Sequence, residues 1–400
     1  NYYTYTMNNP LVYWDPTGFA VALVQIGETF IGNGSITNGV TTANLRDIVN
    51  ALDTPDVLDI MGLGSFDSKV KWDPTTRRAT IEVINRETYN LHTITYDLNT
   101  MTDSEGNSFT ISKNGHIQVG VRQIMKYAGV EDTISWWKDD YTNDMKILVR
   151  PEMKHSAVQV TRADQEINVK AYVEFTGDAD EEFIDPATNK GIGITYGEVA
   201  AKGIIDKWNV SYNNNGWYDF NSNDIRINTT LYGDINNNKF LKQANVSNNQ
   251  RYLEIKIDND DPFTLFGQKE IFGIDLDRQV SHMSGGKSGW SVSNPGTITM
   301  YKNYNGGTDY DQIAYSSTAA HEFGHILGIG DGYGSGNRPK VKVTSEVPEG
   351  TANGYDGDIM IDNGYVTSND IEMVWEAWKT NEWQYFQNYN GYVKSVVIRK

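Results

Sequence analysis

His321, Glu322 and His325 stand in the run His321-Glu322-Phe323-Gly324-His325, which continues Ile326-Leu327-Gly328-Ile329-Gly330-Asp331. Four residues make about one helical turn, so a helix here puts both imidazoles on one face, within reach of a single metal ion. Glu322, roughly a quarter-turn away, falls beside such an ion, where its carboxylate can hold and deprotonate a water. Gly328 lets the helix stop and the chain reverse, and Asp331 can swing back as a third, oxygen ligand. Three protein ligands and an open position describe a catalytic zinc (Zn2+), whereas a structural one is closed by four.

A helix must enter the motif, and Ile313–Ala320 suits it, with Asp311, Ser316 or Ser317 as the cap. The chain has six histidines, and of the others His92 and His116 stand alone, as structural or exposed histidines do.

The extended pattern H-E-x-x-H-x-x-G-x-x-D resembles the metzincin clan of zinc metallopeptidases, in the variant with aspartate as third ligand. The resemblance implies a tight methionine turn beneath the metal, for which Asp358-Ile359-Met360-Ile361-Asp362-Asn363-Gly364 is the candidate, with Met360 as the floor. It also implies a helix after that turn; Thr367 or Ser368 can cap one carrying Ile371, Val374, Trp375 and Trp378 on one face. The tyrosine that some members place two residues after the methionine is Asp362 here, leaving Tyr365 and Tyr333 as candidate oxyanion stabilisers. Thr297, Ile298, Thr299 and Met300, just upstream of the motif, fill the place of the clan's substrate-edge strand, where an extended polypeptide adds by backbone pairing. A thermolysin-like scheme would instead take a glutamate from a later helix. Glu346 and Glu349 have that spacing, but Pro348 and Gly350 argue against a helix around them. Asp356 and Asp358 are further alternatives, and Asp331 fits best.

Four hundred residues exceed one ordinary core, so two or three domains are expected. The net charge of −18 and the lack of a basic cluster argue against nucleic acid as a partner. No apolar run approaches the ~20 residues of a membrane span. Cysteine is absent, which suits a secreted or cell-surface protein without proving export. There is no recognisable signal peptide and no initiating methionine, as in a fragment or processed product. The acidic stretches Asp178–Glu182, Asp258–Asp261 and Asp234–Asn238 read as solvated surface, with structural calcium (Ca2+) as the weaker alternative.

Residues 1–18 alternate tyrosine and threonine and end in the turn signals Asn8-Asn9-Pro10 and Asp15-Pro16-Thr17-Gly18. Their P-x-x-x-x-D-P-x-G pattern resembles the end of the conserved core of RHS (YD-repeat) proteins. In that family this border precedes a variable C-terminal region, often a toxin delivered into a target cell, and an immunity protein is the implied partner. From 19 to 151 a weak repeat appears at an offset of 76: Asn38-Gly39-Val40 then Leu45–Val49, and Asn114-Gly115-His116 then Val121–Met125, each leading to a tryptophan strand at Val70–Ile81 and Ile134–Trp137. The pattern is similar to the stalk domain at the N-terminus of copper amine oxidases and predicts a short helix against a small sheet, used twice. From 152 to 400 the pattern is what a peptidase domain needs: strands near Ile167–Phe175, Asp224–Asn228, Tyr252–Ile257 and Gly296–Tyr301, a helix over Tyr196–Trp208, and a last strand at Tyr392–Ile398.

The expected fold class is therefore α+β, a zincin-like peptidase domain of mixed sheet plus active-site helix, preceded by a small α+β stalk-like domain. The expected function is zinc-dependent endopeptidase, with Glu322 as catalytic base and the chain as the effector tip of a secreted RHS protein. A zinc amidase acting on cell-wall peptides and a non-enzymatic adhesion module with structural zinc are the rival readings.

Overall fold

The structure, a computed structural model, describes residues 21–37, 40–52, 70–138, 144–212, 225–244, 246–258, 270–271, 274–275, 281–284, 289–304, 308–331, 358–384, 387–389 and 392–394. Residues 1–18, Tyr333, Glu346, Glu349 and Asp356 lie outside them. The chain is α+β and separates into two compact units, one of residues 1–155 and 161–165, the other of residues 156–160 and 166–400. No helix among the described residues is long and apolar enough to cross a membrane.

In the first unit, Val21–Ile26 pairs antiparallel with Thr29–Thr37 and parallel with Met145–Val149, which pairs antiparallel with Ile134–Lys138. Val40–Asn44 runs directly into the helix Leu45–Leu52, and Ile117–Gly120 runs directly into Val121–Tyr127. These two strand-helix copies lie side by side, with Ala43 opposite Val119. Each helix buries its apolar stripe, Leu45, Ile48, Val49 and Leu52 in one and Val121, Ile124 and Met125 in the other, in a shared core with Val24, Ile26 and Ile147. The repeat stops at the tryptophans. Trp72 lies on Lys71–Asp73 in a separate four-stranded antiparallel sheet, whereas Trp136 lies on Ile134–Lys138, beside Met145–Val149.

The second unit is organised on the strand Glu166–Gly177. Its odd positions Ile167, Val169, Ala171 and Val173 are buried and the intervening residues are not, the two-residue period of a strand with one face on a core. Its first half pairs parallel with Ile225–Gly233 and its second half parallel with Leu253–Asp258. Thr297–Tyr301 pairs parallel with the latter, and the short strand His282–Ser284 closes its other side antiparallel. Parallel strands need crossovers, and the helix Tyr196–Lys207 supplies one between Glu166–Gly177 and Ile225–Gly233. It opens with a reciprocal cap between Thr195 and Glu198. It also approaches the motif helix, Gln312–Ile326, so closely that a side-chain carbon at Gly203 would collide with the Ser316 backbone. Asp311 is the residue that caps the motif helix, accepting from the Ala314 N–H.

Candidate metal centre

His321 and His325 both project from the last turns of Gln312–Ile326, their rings 4.9 Å apart and nearly perpendicular. The helix stops at Leu327, Gly328 takes a positive φ of 93°, and the chain returns to bring Asp331 against both imidazoles. Asp331 Oδ1 lies 3.2 Å from His321 Nε2 and 3.2 Å from His325 Nε2. One ligand atom from each of the three residues falls within 4.8 Å of the others, so the group can hold a metal ion. Among the described residues no second histidine–carboxylate or acidic group converges in this way. At Asp234, the calcium candidate, the carboxylate instead accepts from the Asn236 backbone and side-chain N–H groups.

The other ring nitrogens both face backbone carbonyls. His321 Nδ1 is 2.8 Å from the Ile359 carbonyl oxygen, and His325 Nδ1 is 2.8 Å from the Ile329 carbonyl oxygen. A carbonyl only accepts, so each Nδ1 carries the proton and donates it, leaving the Nε2 lone pair turned towards Asp331. Burial, with the neighbouring His325 adding to it, pushes the His321 pKa down to about 4, so a second proton on that ring is disfavoured. Two ring nitrogens and a carboxylate oxygen thus converge in a site where all three residues are largely buried. A bound cation resolves that arrangement, and the nitrogen–nitrogen–oxygen donor set fits a divalent transition metal.

Glu322 is also buried and does not join the three ligands. Its carboxylate accepts a hydrogen bond from the Met283 backbone N–H, on the strand His282–Ser284, and its Oε2 has no partner. Loss of hydration drives its pKa up to about 7, against the opposing pull of His321 and the Met283 N–H.

Met360 lies directly under the motif. It is fully buried, and a side-chain carbon at Gly324, between the two histidines, would collide with its sulfur. Asp358 caps the single helical turn Ile359–Asp362 by accepting from the Met360 N–H, and Asn363 ends it in the left-handed region. The following helix, Ser368–Thr380, is capped by Thr367 and Asp370. Thr367 Oγ1 also bonds the Asp358 carboxylate, tying the turn to this cap. Both aspartates are buried. Desolvation raises Asp358 to about 6 and raises Asp370 well above the usual carboxylate range, with the neighbouring Asp358 charge adding to the latter.

One expectation needs revision. Thr297, Ile298, Thr299 and Met300 do not form a free edge, because Leu253–Asp258 occupies one side and His282–Ser284 the other. Among the described residues the edge is His282–Ser284, whose three-residue length gave no periodic signal in the sequence. Tyr365 bridges Asp358 through the backbone, and its ring is more than half exposed with no side-chain hydrogen bond among the described residues. The functional carbonyls of Ile329 and Ile359 were invisible in the sequence, since every residue type offers one.

No protein-family model, curated protein or solved structure matches the chain.

Proposed function

We propose that this chain is a zinc-dependent endopeptidase with a zincin-like, metzincin-type catalytic unit. The observation that carries this reading is the convergence of two carbonyl-oriented Nε2 atoms and Asp331 Oδ1 beside a buried carboxyl with a free oxygen. His321, His325 and Asp331 are the residues that would hold zinc, which when bound supplies Lewis-acid polarisation of a carbonyl and a more acidic water.

Glu322 is the proton carrier. Its Oε2 takes a proton from the attacking water and passes it to the departing amine nitrogen, so the carboxyl ends as it began. The Met283 N–H holds its other oxygen and fixes the direction of approach. An extended polypeptide adds along His282–Ser284, the edge next to Glu322, so that the backbone contacts giving affinity also present the scissile bond. Met360 packs beneath Gly324, between the two histidines. The resemblance of residues 1–18 to the RHS core border supports the further reading that the peptidase is the effector tip of a delivered protein, harmful in a target cell lacking a cognate immunity protein.

The test is Glu322→Gln. Zinc stays stoichiometric by elemental analysis, while cleavage of an unfolded polypeptide falls by about 10²–10⁴-fold, the usual worth of a general base. Undiminished cleavage by a zinc-loaded variant would overturn the assignment.

A further inference from the structure

The segment that follows the helix Ser368–Thr380 touches the candidate metal centre from a direction the motif does not predict. Helix Ser368–Thr380 ends at Asn381, in the left-handed region, and the chain turns back along Gly328–Gly330. The Gln384 N–H donates to the Gly328 carbonyl at 2.8 Å, and the Gly330 N–H donates to the Gln384 carbonyl at 2.9 Å. Ile329, held between these bonds, is the residue whose carbonyl orients His325. Gly330 in turn immediately precedes Asp331. Two ligands therefore depend on a backbone stretch that Gln384 pins from outside.

Trp383 adds a second contact. Its ring stacks on His325, 5.9 Å between centroids and 20° between planes. Trp290 meets Trp383 edge-on at 6.2 Å and Trp378 edge-on at 5.8 Å. Trp290 and Trp378 are each anchored through the indole N–H, to the Ile326 and Leu327 carbonyls at the end of the motif helix. The wall behind His325 is thus held by two indole–carbonyl bonds. The histidine ring is fixed in plane by its Nδ1 bond and out of plane by the indole face, which leaves Nε2 one direction in which to point.

We propose that Trp383 and Gln384 are positioning residues of the metal centre, holding the His325 ring and the Asp331 loop in the ligating arrangement. This rests on the metal-binding reading given above. Outer partners of metal ligands are typically worth about 10–100-fold in affinity, and Trp383 falls in that class by geometry.

The experiment measures Zn2+ affinity by competition with a chromophoric chelator for the whole chain, Trp383→Ala and Trp383→Phe. It is paired with the visible absorption of the Co2+-loaded proteins. Trp383→Ala is expected to bind Zn2+ about 10–100-fold more weakly with an altered Co2+ band, and Trp383→Phe, which keeps a flat ring, to recover most of both. Tryptophan emission gives a second reading that does not need the alanine variant to fold: Co2+ quenches part of it in the parent chain, and that part is smaller in Trp383→Phe, where Trp290 and Trp378 remain near the site. Tight binding with an unchanged band in Trp383→Ala, or undiminished quenching in Trp383→Phe, overturns the role of Trp383 and leaves the metal site standing. Failure of the parent chain to bind either ion overturns both.

Discussion

The two units hold histidines in different ways. In the first, His92 stacks on Tyr127 and lies 3.8 Å from Glu105, His116 uses Nδ1 on the Asn44 amide, and His155 reaches the Arg86 carbonyl through Nε2. Among the described residues, none of the three belongs to a group of side chains that could hold a metal ion. In the second unit His321 and His325 also spend one nitrogen on the backbone, but their remaining nitrogens face the same oxygen. Burial or a hydrogen bond does not distinguish a ligand from a structural histidine. The direction of the second nitrogen does.

Breaking that contrast should cost most at the ligands. His321→Ala is expected to lower zinc affinity by more than the ~10–100-fold typical of an outer partner and to abolish cleavage, while His116→Ala leaves metal content and activity unchanged. Equal metal loss in both variants, by elemental analysis, would erase the distinction.

Gly324→Ala probes the floor beneath the two histidines. The added carbon must displace the Met360 sulfur, an overpacking expected to cost about 1–3 kcal/mol, read as a lower melting temperature. Met360→Leu, close in volume, should cost less than about 1.5 kcal/mol.

A finer test uses the buried Asp358–Asp370 pair. Both carboxyls have pKa values raised in the folded state, so the fold binds protons that the unfolded chain has released. Their contribution is fully present below the unfolded value near 4 and is lost as pH rises through about 6, where Asp358 titrates, and beyond it for Asp370. Asp370→Asn keeps an acceptor for the Thr367 N–H and hydroxyl without a charge. Its melting temperature should gain on that of the parent chain between pH 5 and 8, and parallel pH profiles would refute the raised pKa values of this pair. The smallest effect belongs to the first unit: His116→Ala, at an exposed bond to Asn44, should change stability by no more than about 0.5 kcal/mol in chemical unfolding.

Where local chemistry decides an element, the sequence was readable. Asp311 and Thr367 are caps because their short oxygen-bearing side chains reach the first free N–H groups of a helix, and the histidine spacing is a property of the helix itself. The second-unit strands near 167, 225, 253 and 297 carry the alternation or apolar runs that such burial demands. Edge status was not readable, because it depends on a partner elsewhere in the chain: Thr297–Tyr301 is internal only because His282–Ser284 reaches it. The same holds for Trp383, one tryptophan among ten, whose place beside His325 is set by the turn at Asn381. The first-unit repeat was legible as strand and helix, and its tryptophans misled because equivalent residues entered different sheets.

All three ligands fall between residues 321 and 331, so an ion held there closes only a short loop of chain. The unfolded chain gives up little freedom when so short a loop is closed, since the entropy removed grows with loop length. Most of that loop is already ordered by the motif helix and by the Gly328–Gly330 bridge to Gln384. A metal ion in such a place would be a passenger of the fold rather than its staple. Chelation should strip it and silence the site while the second unit stays folded, and adding the ion back should restore the starting state without refolding.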